Sequence, residues 1–71
     1  MKNNADIKFG DCLRKLREGK SLSQESLAEK TGLSRNYIGN IERGEYSVTV
    51  KNIVKLAKAL ETHPKKLFDW Y

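Results

Sequence analysis

A chain of 71 residues with 14 Lys and Arg against 9 Asp and Glu carries a formal net charge of +5, which favours a polyanion over a basic surface as partner. At this length we expect one domain over residues 1–71, which buries only about 60% of the surface that its unfolded form exposes. A single cysteine excludes an internal disulfide and a cysteine-based zinc cluster, so we expect a reduced protein. No apolar run is long enough for a signal peptide or a membrane span, so we expect a cytoplasmic protein without a membrane partner.

The first predicted helix covers residues 7–18, after a polar segment over residues 1–6 that we expect to fray. Its apolar side chains recur at helical spacing, which predicts one buried face formed by Phe9, Cys12, Leu13 and Leu16. Cys12 is then a small core residue. The alternative, a reactive thiol, needs an exposed cationic pocket that the sequence does not show.

Two short helical patterns joined by a glycine follow, over residues 24–43. The first covers residues 24–30, begins after Ser23 as N-cap, and keeps the small Ala28 inward, where a second helix can cross closely. Gly32 stands where the chain must leave the helix in a left-handed conformation, which glycine adopts most easily because it has no Cβ. This arrangement is the layout of a DNA-reading helix-turn-helix.

The second pattern covers residues 35–43 and begins after Ser34, whose hydroxyl can accept a free amide of the first turn. Ile38 and Ile41 follow at helical spacing, so one stripe of this helix is buried and the opposite stripe is displayed. Gly44 provides a second left-handed stop.

A fourth helix begins after Thr49 as N-cap, and its inward stripe is formed by Ile53, Leu56, Ala57 and Leu60. Pro64 suits the first turn of a short fifth helix, in which Leu67 and Phe68 close the core. No stretch alternates like a strand. The predicted fold is therefore all-α, a compact five-helix helix-turn-helix DNA-binding domain.

The displayed stripe of the third helix carries residue types that read DNA bases. At about 100° per residue, the residues turned away from the buried isoleucines are Asn36, Arg43, Asn40 and Gly39, with Arg35 at the leading end. Arginine can donate two parallel bonds to guanine and asparagine can bind adenine, each good pair discriminating by about 1–3 kcal/mol. A solvated polar face is the alternative, but the turn, the cap and the lack of acidic residues on this side favour DNA.

Gly39 and Tyr37 leave alternatives open. A glycine inside a helix costs about 0.5–1 kcal/mol relative to alanine, which either close approach to a base or sugar or plain tolerance at an exposed site would explain. Tyr37 lies on the flank of the helix, where its ring can pack and its hydroxyl can reach a phosphate or a base edge.

Phosphate contacts are expected at the start of the second helix. Gln24 lies there beside free amides and the positive end of the helix dipole, which attract a phosphate, although Ser23 competes for those amides. Gln24 is a candidate for either a phosphate or a base contact, and the alternative is a plain polar first-turn residue. Arg43 and the loop around Tyr46 and Ser47 are further candidates. The complete candidate DNA-binding set is Ser23, Gln24, Ser34, Arg35, Asn36, Tyr37, Gly39, Asn40, Arg43 and Tyr46.

Glu42 needs a different explanation, because it lies nearer the buried edge of the third helix and an acid facing phosphate would be repelled. We assign it to a structural ion pair with Arg17 on the first helix, a kind of pair that determines geometry more reliably than it adds stability.

Residues that could form a catalytic site are lacking from the sequence, which has one His, one Cys, no carboxylate cluster and no glycine-rich phosphate loop. His63 beside Pro64 marks a helix boundary. We therefore expect no enzyme activity, no cofactor, no metal site and no small-molecule substrate.

From Phe9 to Phe68 the sequence resembles the Cro and phage-repressor family of helix-turn-helix regulators. The resemblance lies in segments that follow the family's order and spacing: LRKLR at 13–17, LSQESLA at 22–28, TGLS at 31–34, YI at 37–38, IERG at 41–44 and IVKLAKAL at 53–60. It implies a five-helix domain that places its third helix in the major groove, with Gln24, Arg35, Asn36 and Asn40 facing DNA. It also implies the Arg17 to Glu42 pair, which the family commonly uses to brace helix one against helix three.

Within that family the chain resembles the controller proteins of restriction-modification systems, through its small size, Arg35, Tyr37 and the 41–44 segment. The resemblance implies dimers that bind paired palindromic sites governing their own operon. Because the chain stops soon after the fifth helix, the amino-terminal half of a longer repressor, a small antitoxin and a prophage regulator are alternatives.

There is also a physical reason to expect dimerisation. One short helix reads too few base pairs for useful specificity, and a two-fold partner doubles the length of the site. We expect Phe68, Trp70 and Tyr71 at the two-fold interface; the alternative is that Phe68 is core and the last two residues are a loose tail. The predicted function is sequence-specific binding of (pseudo)palindromic double-stranded DNA by a homodimeric transcriptional regulator. A protein-binding adaptor or antitoxin of helix-turn-helix ancestry is the alternative.

Overall fold

The computed structural model describes residues 3–71, which form four α-helices and one short 3-10 helix. The helices are α1 (Asn4–Gly19), α2 (Gln24–Thr31), α3 (Arg35–Glu42) and α4 (Val50–Ala59), followed by the 3-10 helix Pro64–Phe68. This part of the chain contains no strand, as predicted. The predicted fifth helix is a 3-10 helix, so the predicted five helices are corrected to four α-helices. The Lys66 N–H donates to the His63 carbonyl at 3.0 Å, the i→i+3 bond that such short segments form.

The first helix begins earlier than predicted. The Asn3 side chain accepts a hydrogen bond from the Ala5 N–H at 2.7 Å and acts as N-cap, and Asp6 lies in the first turn at the positive end of the helix dipole. Residues 4–6 are therefore helical and not frayed, while residues 1 and 2 of the expected frayed segment lie outside the described residues. The signal in the sequence was Asn3 followed three residues later by Asp6, a pattern that indicates a helix start, and the prediction overlooked it.

The turn between α2 and α3 follows its prediction. Gly32 has a φ of 75°, and its N–H donates to the Ala28 carbonyl at 2.9 Å. Thr31 is buried, and its hydroxyl oxygen accepts the Leu33 N–H at 3.2 Å. The same hydroxyl donates back to the last turn of α2, so Thr31 forms hydrogen bonds on both sides of the turn between α2 and α3.

The core lies between the helices, with α3 packed against α1 and α2, and with α4 packed against α2 and the 3-10 helix. Its ten buried apolar residues are Phe9, Leu13, Leu27, Ala28, Ile38, Ile41, Leu56, Ala57, Leu60 and Leu67. The inward stripes predicted for α2 and α3 are confirmed. Gly10, which the prediction did not use, makes the closest backbone approach, because a Cβ there would lie 2.1 Å from the Ile41 carbonyl oxygen. Only glycine lets α1 touch the backbone of α3 in this way, and α3 is thereby supported from behind.

Four predicted core residues lie at the edge of the core, and of these Leu16 and Ile53 are half-buried against it. Cys12 is half-buried and its thiol donates to the Lys66 carbonyl at 3.1 Å, because the 3-10 helix covers only one side of it. Burial raises the pKa of the Cys12 thiol. Phe68 is 40% exposed and rests on Phe9 with ring centroids 5.3 Å apart, so Leu67, not Phe68, closes the core.

Candidate nucleic-acid interface

The outer face of α3 presents polar side chains to solvent while its inner face is completely buried. Ile38 and Ile41 have no exposed surface, whereas Arg35 and Asn36 are exposed and Asn40 is half-buried. Among residues 3–71, Arg35 forms no salt bridge, so its guanidinium is available to a ligand. The helix therefore displays free hydrogen-bonding groups on a supported surface.

Ser23 and Ser34, both in the candidate DNA-binding set, act as helix caps. The Ser23 hydroxyl oxygen accepts the Ser26 N–H at 2.9 Å, and that of Ser34 accepts the Tyr37 N–H at 3.0 Å. Each residue is exposed at the leading end of its helix. The two serines thus hold α2 and α3 in place at the ends that point toward the candidate interface.

The ion pair expected between Arg17 and Glu42 is present and mostly buried. Arg17 Nε donates to Glu42 Oε2 at 2.6 Å and Arg17 Nη2 to Oε1 at 3.0 Å, with side chains only 10% and 3% exposed. The hydrogen bond to Glu42 raises the pKa of Arg17. Arg17 Nη1 also donates to the Leu22 carbonyl at 2.7 Å, so one guanidinium joins α1, the loop before α2 and the end of α3.

Gln24 is drawn into the same network. Its Nε2 donates to Glu42 Oε1 at 3.0 Å, which holds the half-buried side chain across the gap between α2 and α3. The backbone start of α2 remains beside it. Sequence reasoning placed Gln24 at a phosphate but did not anticipate that Glu42 would orient its amide.

Gly39 is buried, whereas the sequence analysis placed it on the displayed side of α3. The explanation by tolerance at an exposed site is therefore wrong, whereas close approach to a base or sugar stays a prediction. The side chains of Gln24 and Arg43 cover it, since these are the nearest atoms to the position a Cβ would take. A residue on the outer side of a helix can thus be buried by polar neighbours and not by the core.

Arg43 and Asn40 are joined to each other. Arg43 Nη2 donates to Asn40 Oδ1, and Arg43 Nε lies 3.4 Å from Glu45 Oε1. The Arg43 side chain is still 55% exposed. Glu45 was not a predicted site residue. The only signal in the sequence for its contact with Arg43 was its position two residues later, beyond the end of α3.

Tyr37 links the outer flank of α3 to the segment that follows it. Its ring lies 6.0 Å from that of Tyr46, centroid to centroid, and its hydroxyl accepts a hydrogen bond from Asn52 Nδ2 at 3.1 Å. Ser47 donates to Asp6 Oδ2 at 2.8 Å, which ties the same loop to α1. Asn52 was missed because nothing in the sequence pairs the first turn of α4 with α3.

A helix-turn-helix family model matches residues 13–67, which include every helix-forming segment from the second half of α1 to the 3-10 helix. The chain belongs to the helix-turn-helix family. The resemblance drawn from the sequence is thereby confirmed.

Several relatives of this helix-turn-helix protein are restriction-modification control proteins. It is 46% identical to control protein C.BamHI of Bacillus amyloliquefaciens, across 99% of this chain and 88% of that protein. It is also 46% identical to control protein C.SmaI of Serratia marcescens, across 90% and 84%. The crystal structure of the restriction-modification controller protein C.AhdI from Aeromonas hydrophila matches with a TM-score of 0.87 at 52% identity, across 89% of this chain and 96% of that one. The chain is a helix-turn-helix transcriptional regulator closely related to these control proteins.

The aromatic residues at the end of this helix-turn-helix chain form a row of rings. Phe68 lies 5.9 Å from Trp70, and Trp70 lies 6.3 Å from Tyr71, centroid to centroid. Trp70 is half-buried and its Nε1 donates to the Leu67 carbonyl at 2.7 Å, while Tyr71 is fully exposed. Trp70 is therefore packed against its own chain and presents only one side outward.

Over residues 3–71 no group of three or more His, Cys, Asp and Glu side chains could hold a metal ion. None of the four α-helices has both the length and the apolarity that crossing a bilayer requires.

Proposed function

We propose that this protein regulates transcription by binding specific sites on double-stranded DNA, with α3 inserted into the major groove. The observation that carries the proposal is the two-sided character of α3. Its inner side is held by buried isoleucines, by the contact with Gly10 and by the Arg17 to Glu42 pair, and its outer side is polar and accessible. A rigid helix with a free polar face is what base reading in the major groove requires.

Base reading is assigned to Arg35, Asn36, Asn40 and Arg43, which are the donors and acceptors along the outer face. Contacts to the DNA backbone are assigned to Ser23, Ser34, the Gln24 side chain and the backbone amides at the start of α2. The same role is assigned to Tyr37 on the flank of α3 and to Tyr46 and Ser47 in the loop that follows. These groups suit phosphate because they combine neutral hydrogen-bond donors with the positive end of a helix dipole.

The regulated genes are proposed to be those of a restriction-modification system, because the relatives with high coverage are control proteins of such systems. A small prophage-type repressor is the second candidate. The protein is proposed to act in the cytoplasm as a single domain, without cofactor, metal or small-molecule ligand.

Selection of bound duplexes from a random pool tests this function. We expect enrichment of a two-fold symmetric sequence with half-sites separated by about one helical turn, or about 10 base pairs. Affinity for the enriched duplex should fall steeply with rising salt, because bound phosphates release counterions. Binding to a protein partner without duplex enrichment would instead favour an adaptor or antitoxin.

The proposed homodimer is assigned to the exposed apolar side of α4 and the 3-10 helix. Val50 is 77% exposed, Val54 is 39% exposed, and Phe68 is 40% exposed. Ile53 lies between the two valines on the helix and lines a shallow depression together with Phe68 and Trp70. The sequence predicted only Phe68, Trp70 and Tyr71 for this interface, and Val50 and Val54 were not considered.

Replacing Val54 with Glu is expected to convert a dimer into a monomer at micromolar concentration, because a charge would be buried against the partner. Sedimentation velocity measures the change, and removal of Trp70 and Tyr71 should act in the same direction. Lys30→Glu is the control, since it adds an acid at an exposed position on a different helix, α2. A Val54→Glu variant that sediments like the parent dimer would place the interface elsewhere.

A further inference from the structure

We infer that Gly39 is a positioning residue that determines specificity. Because Gly39 has no side chain, the side chains of Gln24 and Arg43 can lie directly over its backbone, in a space that we call the seat. The seat sets the direction in which Arg43 meets the bases. The inference rests on the proposed function, because it concerns how that same face reads DNA. It differs from both explanations that the sequence allowed, since Gly39 here contacts protein side chains and not a base or open solvent.

The seat is defined by three short distances. A Cβ at position 39 would lie 3.2 Å from Arg43 Nη1, 3.6 Å from Gln24 Oε1 and 3.8 Å from Gln24 Nε2. Two long polar side chains, from α2 and from the end of α3, therefore lie over the same backbone atom. Their coverage explains why Gly39 is buried although it is not on the core side of α3.

Both side chains are anchored beyond the seat. Gln24 is held by Glu42, whose carboxylate is held in turn by Arg17. Arg43 is held by Asn40 and lies beside Glu45. The bond to Asn40 and the open space above Gly39 together therefore set where the Arg43 guanidinium lies.

An alanine methyl group would fit only if its neighbour moved by a few tenths of an ångström. The guanidinium would move, because it is the end of a flexible and half-exposed side chain, whereas the Gln24 amide is tied to a buried carboxylate. The fold should tolerate this displacement. Alanine is also the better helix former, so thermal stability should not fall.

Base reading should be more sensitive than folding to the same displacement. Bidentate recognition of guanine needs both donors of a planar guanidinium in line with O6 and N7. We expect Gly39→Ala to bind the selected duplex about tenfold more weakly, within the range that loss of one such pair allows, and to relax the preference at one base pair of each half-site.

A double-mutant cycle with Arg43→Ala separates this mechanism from others. Affinities of the parent, the two single variants and the double variant are measured on the selected duplex. If Gly39 acts through Arg43, Gly39→Ala should weaken binding about tenfold in the parent and by less than about twofold in the Arg43→Ala background. A loss of equal size in both backgrounds would overturn the inference and indicate that the methyl group meets the DNA itself.

Gly19 provides a matched control, because it is also a helical glycine but has nothing within 4 Å of the Cβ position. Gly19→Ala should bind and select DNA like the parent. Unchanged affinity and unchanged base preference in Gly39→Ala would contradict the inference.

The seat can also be tested without DNA, which separates its failure from failure of the proposed function. Nuclear Overhauser contacts between the Gly39 α-protons and the Gln24 side-chain amide are expected in the free protein, and Gly39→Ala should shift the Arg43 Nε–H resonance. Absence of those contacts would overturn the seat. If the parent protein shows the nuclear Overhauser contacts but selects no duplex, the seat stands, and the DNA-reading part of the inference fails together with the proposed function.

Discussion

Replacing Glu42 with alanine is expected to lower the free energy of unfolding by about 3–5 kcal/mol, because it leaves the buried Arg17 guanidinium without its carboxylate. Arg17 would keep its bond to the Leu22 carbonyl, but the Gln24 amide would lose its acceptor. Denaturant unfolding followed by circular dichroism measures the loss. DNA binding should weaken as well, since the same carboxylate holds Gln24 and joins the end of α3 to α1.

Glu18→Ala is the matched control for that variant. Glu18 pairs with the same arginine, but at 3.9 Å and with a side chain that is 61% exposed, so its removal should cost at most about 1 kcal/mol. Replacing the pair by Arg17→Met with Glu42→Leu should recover much of the lost stability, because two apolar side chains of similar volume leave no buried charge. A Glu42→Ala variant as stable as the parent would show that the pair does not support α3.

Replacing Arg35 or Asn36 with alanine is expected to weaken binding to the selected duplex and to relax its sequence preference, while leaving the fold unchanged. Both side chains are exposed at the start of α3 and neither contributes to the core. A good bidentate contact to a base contributes about 1–3 kcal/mol of discrimination, which corresponds to roughly 5- to 150-fold in relative affinity. Fluorescence anisotropy on the selected duplex and on single-base variants measures both effects.

Lys65→Ala controls for the loss of positive charge, since Lys65 is exposed on the 3-10 helix and away from α3. It should leave the base preference unchanged and lower affinity only slightly through the net charge. If Arg35→Ala and Asn36→Ala both kept the parent's preference, base reading would have to be assigned to another surface.

Much of the recognition unit could be predicted from the sequence, because its determinants are local. Ser34 caps the helix that follows it, Gly32 takes a left-handed φ that its neighbours require, and Ile38 and Ile41 share one helical face. Each depends on residues within a few positions along the chain. The early start of α1 was equally local, and it was missed because the Asn3 cap was not considered.

The details of the candidate interface depend on which helices meet, and spacing along one helix does not contain that information. Gly10 touches Ile41 because α1 packs against α3, and Tyr37 accepts from Asn52 because the fold brings the start of α4 beside α3. Gly39 is covered by Gln24 from a neighbouring helix, which periodicity along α3 could not show. Local chemistry thus determined the caps, turns and buried stripes, whereas contacts between residues far apart in sequence decided how the reading side chains are held. Such contacts exist only once the chain has folded, because their partners share no local pattern.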